Sequence, residues 1–242
     1  TSLYGVMHEC GHALYELNTG DQWQYTRLGA GASTGVHESQ SRFYENMIGR
    51  SRAWTELMWP VLTSNIPELA GREPREFFRA VNAVRRTPLR DEADELTYCL
   101  HIMLRFEIER AVMNGEMTVR DAPAVWNELT EKYLRCTVRS DAEGILQDPH
   151  WPAGQIGYFP TYALGTVYAA QLMERINESI DVGESMRMGD ISHVNDWMRE
   201  NIWRHGALYP PTELMVRALG GPPDVKCYID YLSDKLSEVY GV

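Results

Sequence analysis

Residues Ser2–Leu17, SLYGVMHECGHALYEL, are predicted to form one helix, which the turn-prone segment at 18–20 would end. Inside this helix, residues 8–12 read HECGH, an H-E-x-x-H pattern. Side chains four residues apart share a helix face, so His8 and His12 can bind the same metal ion. Glu9 would then project beside that metal, where a carboxylate can take a proton from a bound water. The stretch therefore predicts a helical protein with a metal-dependent hydrolytic site.

A catalytic zinc site needs a third protein ligand and leaves a fourth position for water. One class of zinc peptidases uses a histidine six residues after the motif, but Asn18 occupies that position here and excludes this class. The other common third ligand is a glutamate on a second helix, roughly 20–30 residues later. Glu38 satisfies that spacing and is the predicted ligand. Glu16 and Glu45 compete with it, although each fits better on a solvated helix face or as a partner that orients a ligand.

Helical periodicity continues through the rest of the 242 residues, and few period-two segments occur. We therefore expect a mainly α, multi-helix fold with few or no short strands, built as a single domain over 1–242. The predicted loops at 18–37 and 139–160 carry unusual polar residues. After the first helix, the pattern predicts helices over about 38–54, 74–84, 91–113, 118–138, 162–180, 194–203 and 224–239.

Net charge, apolar runs and cysteine spacing indicate which partners and which cell compartment the chain is expected to have. The net charge of -11 argues against nucleic acid and anionic membranes as partners. There is no run of about 18 apolar residues, so no membrane-spanning helix is expected, and no signal peptide is expected either. The four cysteines are scattered without paired spacing. They predict reduced, buried thiols in a cytoplasmic protein.

Four ordered motifs give the chain a strong resemblance to one family. HECGH at 8–12 is followed by HESQS at 37–41, LRDEAD at 89–94 and GILQDPHW at 144–151, and then by GYFPTY at 157–162. In this order and spacing they resemble the motifs of the carboxypeptidase Taq family of metallocarboxypeptidases. The one change is Leu89 in place of the isoleucine of I-R-x-x-A-D. The resemblance extends through essentially the whole chain.

The resemblance implies a helical gluzincin fold that removes single residues from peptide C-termini with broad specificity. It also implies one divalent metal ion per subunit, Zn²⁺ or alternatively Co²⁺. A guanidinium binds a carboxylate through two hydrogen bonds, so Arg90 is the candidate that holds the substrate's free C-terminus, with Asp94 as its partner.

Related helical metallopeptidases use a histidine and a tyrosine near 150–162. We therefore assign His150, Tyr162 and Tyr158 to contact with the substrate or with the oxyanion that develops during attack. His37 could contact substrate or support a metal ligand. Gln147 and Asp148 are expected to pin the loop, whereas His101, His193 and His205 have no motif around them.

Members of this family are usually about twice as long, with a helical half before the H-E-x-x-H motif. The chain is thus expected to be either a fragment or a compact version that holds the catalytic half. Apolar surface exposed on helices such as the one with His8 would favour a homodimer. Two alternatives stay open: an oligopeptidase or endopeptidase on the same metal site, and a catalytically weak metal-binding oligomer.

Overall fold

The computed structural model describes residues 2–242, and within that range it contains eleven α-helices and no strand. This confirms the expected mainly α fold. Short 3-10 turns join several of the helices, and a π-helical segment at Phe43–Gly49 continues directly from the second. The helices are α1 Ser2–Leu17, α2 Thr34–Arg42, α3 Arg52–Asn65, α4 Pro74–Val81, α5 Tyr98–Met113, α6 Ala122–Leu134, α7 Pro160–Asn177, α8 Val182–Arg187, α9 Ser192–Asn201, α10 Pro211–Leu219 and α11 Val225–Tyr240.

The chain divides into two compact units. Unit 1 combines 1–82 with 164–242, and unit 2 comprises 83–163. Unit 1 therefore contains α1–α4, most of α7 and α8–α11, whereas unit 2 contains α5, α6 and the long loop at 139–159. No helix in the described part of the chain is both long and apolar enough to cross a membrane.

The core of unit 1 packs α1 and α2 against the C-terminal helices. Tyr15 of α1, Phe43 after α2 and Trp203 after α9 are all fully buried. The indole N–H of Trp203 donates to the buried side-chain carbonyl of Gln40 at 2.8 Å, so this polar group of α2 is satisfied inside the core.

Unit 2 has its own apolar core between α5 and α6. Leu104 and Ile108 of α5 pack with Trp126 and Leu134 of α6, and partly buried side chains of the 139–159 loop cover them. A second cluster joins Tyr98 and Ile102 to Phe159 at the end of that loop. The loop is thus attached to the unit through buried aromatic contacts.

Several predicted boundaries are wrong, and local capping explains why. The side chain of Ser33 accepts from Val36 N at 3.2 Å, so α2 begins at Thr34 and Glu38 lies one turn inside the helix instead of at its start. Ser51 caps α3 in the same way through Trp54 N, so the helix expected over 38–54 is two helices.

The predicted helix over 91–113 also begins later than expected. The Asp94 carboxylate accepts from Thr97 N and Thr97 Oγ1, each at 3.0 Å, and this capping turn holds the chain outside the helix until Tyr98. Helices α8 and α10 and most of α3 were not anticipated. All four cysteines are free, but Cys10 is exposed and the others are only half-buried, so the expectation of buried thiols is wrong, most clearly for Cys10.

Candidate active site

Helices α1 and α2 bring the three predicted metal ligands together. His8 Nε2 and His12 Nε2 each lie 3.7 Å from Glu38 Oε2, and one ligand atom from each residue lies within 4.8 Å of the others. A Cβ on Gly11 would stand 2.5 Å from Gln40 O and 2.6 Å from Ser41 Cα. Only glycine therefore permits the close approach of the two helices that places Glu38 beside both histidines.

Glu38 is buried, and its two oxygens have different surroundings. Arg42, one turn further along α2, donates through Nε to Oε1 at 2.8 Å, while Oε2 faces the two imidazoles. A Cβ on Gly165 of α7 would lie 2.6 Å from Glu38 Cγ. The carboxylate is thus held from two sides, with one oxygen directed at the histidines.

His8 is oriented by the half-buried carboxylate of Glu45. Its Nδ1 donates to Glu45 Oε2 at 3.0 Å, and Arg50 and Arg42 also donate to Glu45, at 3.3 and 3.4 Å. Burial alone would raise the pKa of Glu45, but the hydrogen bond from His8 and the two guanidinium charges together lower it to about 2. Glu45 lies in the π-helical segment, a form of helix that is frequent at functional sites.

His12 is oriented by a second imidazole. His12 Nδ1 and His37 Nδ1 lie 2.6 Å apart, and His37 Nε2 lies 2.7 Å from Glu16 Oε1. Burial first, and then the neighbouring His8 and His37, lower the pKa of His12 to about 4, so its ring is neutral at neutral pH. His37 thus contacts a proposed ligand residue and Glu16 contacts His37, in agreement with the supporting role considered for each.

Glu9 and Cys10 lie on the solvent side of α1. The side chain of Glu9 is exposed, and its charge acts to raise the pKa of His12, one of the proposed metal ligands. The thiol of Cys10 is exposed and does not belong to the cluster of possible metal ligands.

Unit 2 contains a separate charged cluster centred on Asp148. Arg90 Nε donates to Asp148 Oδ1 at 2.9 Å, and Arg105 Nε donates to Oδ2 at 2.7 Å. Burial would raise the pKa of Asp148, but the two guanidinium groups hold it below its ordinary value. The side-chain carbonyl of Gln147 accepts from Arg90 N and from Arg105, both at 2.8 Å. Gln147 and Asp148 therefore do pin the loop.

The outer nitrogens of the Arg90 guanidinium bind Tyr98 and an exposed carboxylate. Its Nη1 donates to the hydroxyl of Tyr98 at 3.1 Å, and its Nη2 contacts the exposed carboxylate of Asp91 at 2.8 Å. Burial alone would lower the pKa of Arg90, but Tyr98 and the carboxylates raise it. The carboxylate that binds Arg90 Nε is Asp148, whereas Asp94 accepts from Arg85 N and Thr97, so the expected pairing with Asp94 is wrong.

His150 and Tyr162 are in direct contact in unit 2. His150 Nε2 lies 2.9 Å from the hydroxyl of Tyr162, and the His150 ring packs on Tyr158 and Phe159 with centroids 5.4 and 4.5 Å apart. His150 is 6% exposed, whereas Tyr158 and Tyr162 are half-buried. Burial, with the charges of two nearby arginines, lowers the pKa of His150 despite the opposing effect of Asp148. The ring is therefore placed to position Tyr162.

Sequence analysis missed a polar stripe on α5. His101, Arg105 and Glu109 recur every four residues, and all three are buried. Glu109 accepts from the indole of Trp151 at 2.8 Å and from Gly157 N at 2.6 Å, and so ties down the loop after His150. Three polar residues at helical spacing among apolar ones were a detectable signal, because such a stripe on a core helix must find buried partners.

The donor set of unit 1 fits a divalent metal. Two imidazole nitrogens and one carboxylate oxygen are the ligands of many catalytic zinc sites. Donors about 2.0–2.1 Å from one tetrahedral zinc stand about 3.3–3.4 Å apart. The two Nε2–Oε2 distances of 3.7 Å are close to that value. In both histidines Nδ1 is engaged by a supporting residue, which leaves Nε2 for the metal.

An H-E-x-x-H helix joined by a glutamate from the next helix defines the glutamate-ligand class of metallopeptidase centres. Residues 1–236 match the model of the carboxypeptidase Taq (M32) metallopeptidase family, and the chain belongs to this family. This confirms the resemblance carried by the four motifs.

Known relatives agree with the assignment. Thermostable carboxypeptidase 1 of Pyrococcus furiosus is 42% identical over 97% of this chain and 47% of its own length. Carboxypeptidase 1 of Bacillus subtilis is 42% identical over 99% of this chain and 48% of its own. The crystal structure of M32 carboxypeptidase from Deinococcus radiodurans R1 matches with a TM-score of 0.96 at 42% identity, over 99% of this chain and 49% of that one. The chain thus spans about half the length of these relatives.

Proposed function

We propose that the chain carries the metal centre of a carboxypeptidase that releases single residues from peptide C-termini. The observation that carries this proposal is the convergence of His8, His12 and Glu38 in a member of a metallopeptidase family. Relatives of this chain are named carboxypeptidases, which supports peptides with a free C-terminus as substrates. We propose Zn²⁺ as the metal, with Co²⁺ as the alternative, because the donor set suits both.

The metal, when bound, polarises the scissile carbonyl and makes a water more acidic. His8, His12 and Glu38 hold the ion, and the neutral ring of His12 offers its Nε2 lone pair for this purpose. Glu9 accepts the proton of the attacking water and passes it to the leaving amine nitrogen. Its exposed carboxylate next to His8 is suited to this exchange, because it has no structural hydrogen bond to break among the described residues.

Arg90 is proposed to bind the C-terminal carboxylate of the substrate. Asp148 fixes the Nε side of its guanidinium, so the Nη side is oriented in advance. Asp91, which contacts Nη2, is 80% exposed at its side chain, and a substrate carboxylate can take its place at little cost. We propose that this contact gives the preference for peptides with a free C-terminus.

Tyr162 and Tyr158 are proposed to donate to the substrate or to the developing oxyanion. His150, buried and bonded to the Tyr162 hydroxyl, acts through that tyrosine and sets its orientation. His37 contacts His12 and Glu16 in the structure, so its proposed role is to support the metal ligand.

The test of the proposed function is Glu9→Gln, with Glu68→Gln at an exposed position as the matched control. Removal of the general base is expected to lower kcat by about 10²–10⁴ while metal content stays at one ion per chain. The assay compares a peptide that has a free C-terminus with the same peptide amidated. Wild-type turnover by Glu9→Gln, or equal cleavage of both peptides, would contradict the proposal, and the latter would favour an oligopeptidase.

A homodimer is proposed as well, because α1 exposes apolar side chains. Val6 is 68% exposed and Leu17 is 81% exposed. A second copy of the chain that covers this face would remove apolar surface from water. Light scattering at micromolar concentration is expected to give twice the 27.7 kDa chain mass, and Leu17→Glu is expected to shift the mass toward the monomer. A monomeric wild-type chain would refute this assembly.

A further inference from the structure

We propose that Glu16 is a positioning residue for the metal centre and that it acts through His37. The hydrogen bonds of Glu16, His37 and His12 form a directed chain that selects the tautomer of His12 with its lone pair at Nε2. This inference rests on the proposed metal centre, but it concerns residues that coordinate no metal themselves.

The chain of contacts is short and continuous. Glu16 follows His12 by one turn of α1, and its Oε1 lies 2.7 Å from His37 Nε2. His37 Nδ1 in turn lies 2.6 Å from His12 Nδ1. His12 Nε2, the far nitrogen of that ring, is the atom 3.7 Å from Glu38 Oε2. A solvent-facing carboxylate is therefore linked by two hydrogen bonds to a ligand of the metal.

The direction of the chain follows from what each group can donate. A neutral imidazole donates from one ring nitrogen and accepts at the other, and when His37 donates from Nε2 to the Glu16 carboxylate the accepting nitrogen is Nδ1. His37 Nδ1 is then a lone pair and accepts from His12 Nδ1–H. His12 thus has no proton on Nε2 and presents a lone pair to the metal. The other tautomer of His37 would donate from Nδ1 to His12, lose its bond to the Glu16 carboxylate, and leave the proton of His12 on the metal-facing Nε2.

The His37 ring cannot easily leave this arrangement. A Cβ on Gly31 would stand 2.7 Å from His37 Cδ2, so the backbone before α2 packs directly on the imidazole. Tyr15 packs on the ring from α1 with centroids 5.1 Å apart, and its hydroxyl accepts from Ala32 N at 3.1 Å. The loop that would otherwise let the ring turn is itself bonded to α1.

The two metal-ligating histidines therefore differ in how their tautomers are fixed. Glu45 acts on His8 directly and has a side chain 14% exposed, whereas Glu16 acts on His12 through an intermediate ring and has a side chain 48% exposed. An exposed terminal acceptor is the weaker of the two, so loss of Glu16 is expected to have a moderate effect, smaller than loss of His37.

The experiment measures Zn²⁺ affinity by competition with a chromophoric chelator, and the tautomer of His12 by ¹⁵N NMR of the imidazole rings in the metal-free protein. Glu16→Ala is expected to weaken Zn²⁺ binding about tenfold, the low end for outer-shell partners of metal ligands. His12 should move from the Nδ1–H form toward a mixture. Glu16→Gln, whose amide oxygen can still accept from His37, should recover part of the affinity. Glu68→Ala removes an exposed carboxylate elsewhere and should leave both readouts unchanged.

A double variant separates action through His37 from a general effect of charge. If Glu16 acts through His37, Glu16→Ala adds nothing to the loss already caused by His37→Ala. Additive losses, or wild-type affinity and an unchanged His12 tautomer in Glu16→Ala, would overturn the proposal. Neither readout requires peptide hydrolysis. An inactive wild-type chain would therefore refute the proposed function, while the Zn²⁺ affinities and the His12 tautomer would still test the role of Glu16.

Discussion

The carboxylates of Glu38 and Asp148 are both buried, yet their surroundings are opposite. Glu38 gives one oxygen to Arg42 and turns the other toward two imidazoles, one of which is held neutral by a pKa of about 4. Asp148 gives one oxygen to Arg90 and the other to Arg105. One oxygen of the first carboxylate thus faces imidazoles, whereas both oxygens of the second bind guanidinium groups.

This difference separates a binding site from a structural one. A carboxylate oxygen that faces imidazole nitrogens gains from the arrival of a cation, so the Glu38 cluster is suited to bind a metal ion. The Asp148 cluster has nothing further to gain from one. Its two guanidinium groups, both bound to Asp148, instead join the start of unit 2 and helix α5 to the loop before His150. Substitutions in the two clusters should therefore act on different measurements.

The largest change in the free energy of unfolding is expected for Arg105→Gln. Arg105 is fully buried, and its guanidinium packs on the Trp126 ring 4.5 Å from the centroid. Burial lowers its pKa to about 10 against the opposing effect of Asp148, so it is charged at neutral pH. Its removal leaves half of a buried carboxylate without a partner, which should cost about 3–5 kcal/mol in the free energy of unfolding. Urea denaturation measures this.

Arg110→Gln on the exposed face of the same helix is the control, with a change of no more than about 0.5 kcal/mol. Zn²⁺ affinity should be nearly unchanged in folded Arg105→Gln. A loss of affinity without a loss of stability would contradict the division between the two clusters.

The next largest effect is expected for Gly11→Ala, which tests the close packing of α1 on α2 in the Glu38 cluster. The added Cβ would meet backbone atoms of Gln40 and Ser41, which cannot swing away, so α1 and α2 must separate. We expect a loss of about 3 kcal/mol, together with weaker Zn²⁺ binding. Gly5→Ala on the same helix is the matched control, because nothing lies within 4 Å of its Cβ, and it should stabilise by about 0.5–1 kcal/mol. Equal behaviour of the two variants would contradict the close packing of α1 on α2.

The comparison also explains what the sequence could predict. His8, His12 and Glu38 were found because the first two share one helix face and the third follows at a spacing that chemistry restricts. The extent of α1 was predicted correctly for a similar local reason. Family motifs then pointed to Arg90, His150 and Tyr162, whose roles stay predictions.

The Asp148 cluster could not be predicted in the same way. Asp148 and Arg105 are 43 residues apart, and only the fold of unit 2 brings them together. The π-helical segment that carries Glu45 has no sequence signature, and the capping turns at Ser33 and Asp94 shift helix starts by several residues. Local patterns thus predicted the ligands, whereas most of the supporting contacts depend on tertiary structure.

The smallest effect should appear only in acid, at His101 beside the Asp148 cluster. His101 is fully buried, and neither ring nitrogen has a hydrogen-bond partner in the described part of the chain. Burial first, and then the charges of Arg105 and Arg90 against the opposing Asp148, lower its pKa from 6.5 to about 3. Near pH 7 and above, the His101 ring is neutral in both the folded and the unfolded chain, so it does not make the free energy of unfolding depend on pH.

As the pH falls through 6.5, His101 becomes protonated in the unfolded chain but stays neutral in the folded chain. The free energy of unfolding therefore decreases until the folded ring is protonated near pH 3. At pH 5 this loss amounts to about 2 kcal/mol relative to pH 7. His101→Leu removes the titrating group and should reduce the difference in unfolding free energy between pH 7 and pH 5 by that amount. His193→Gln, at an exposed position, should keep the wild-type difference. If His101→Leu also keeps the wild-type difference, then the buried ring can be protonated in the folded chain, and water reaches the Asp148 cluster more than its burial indicates.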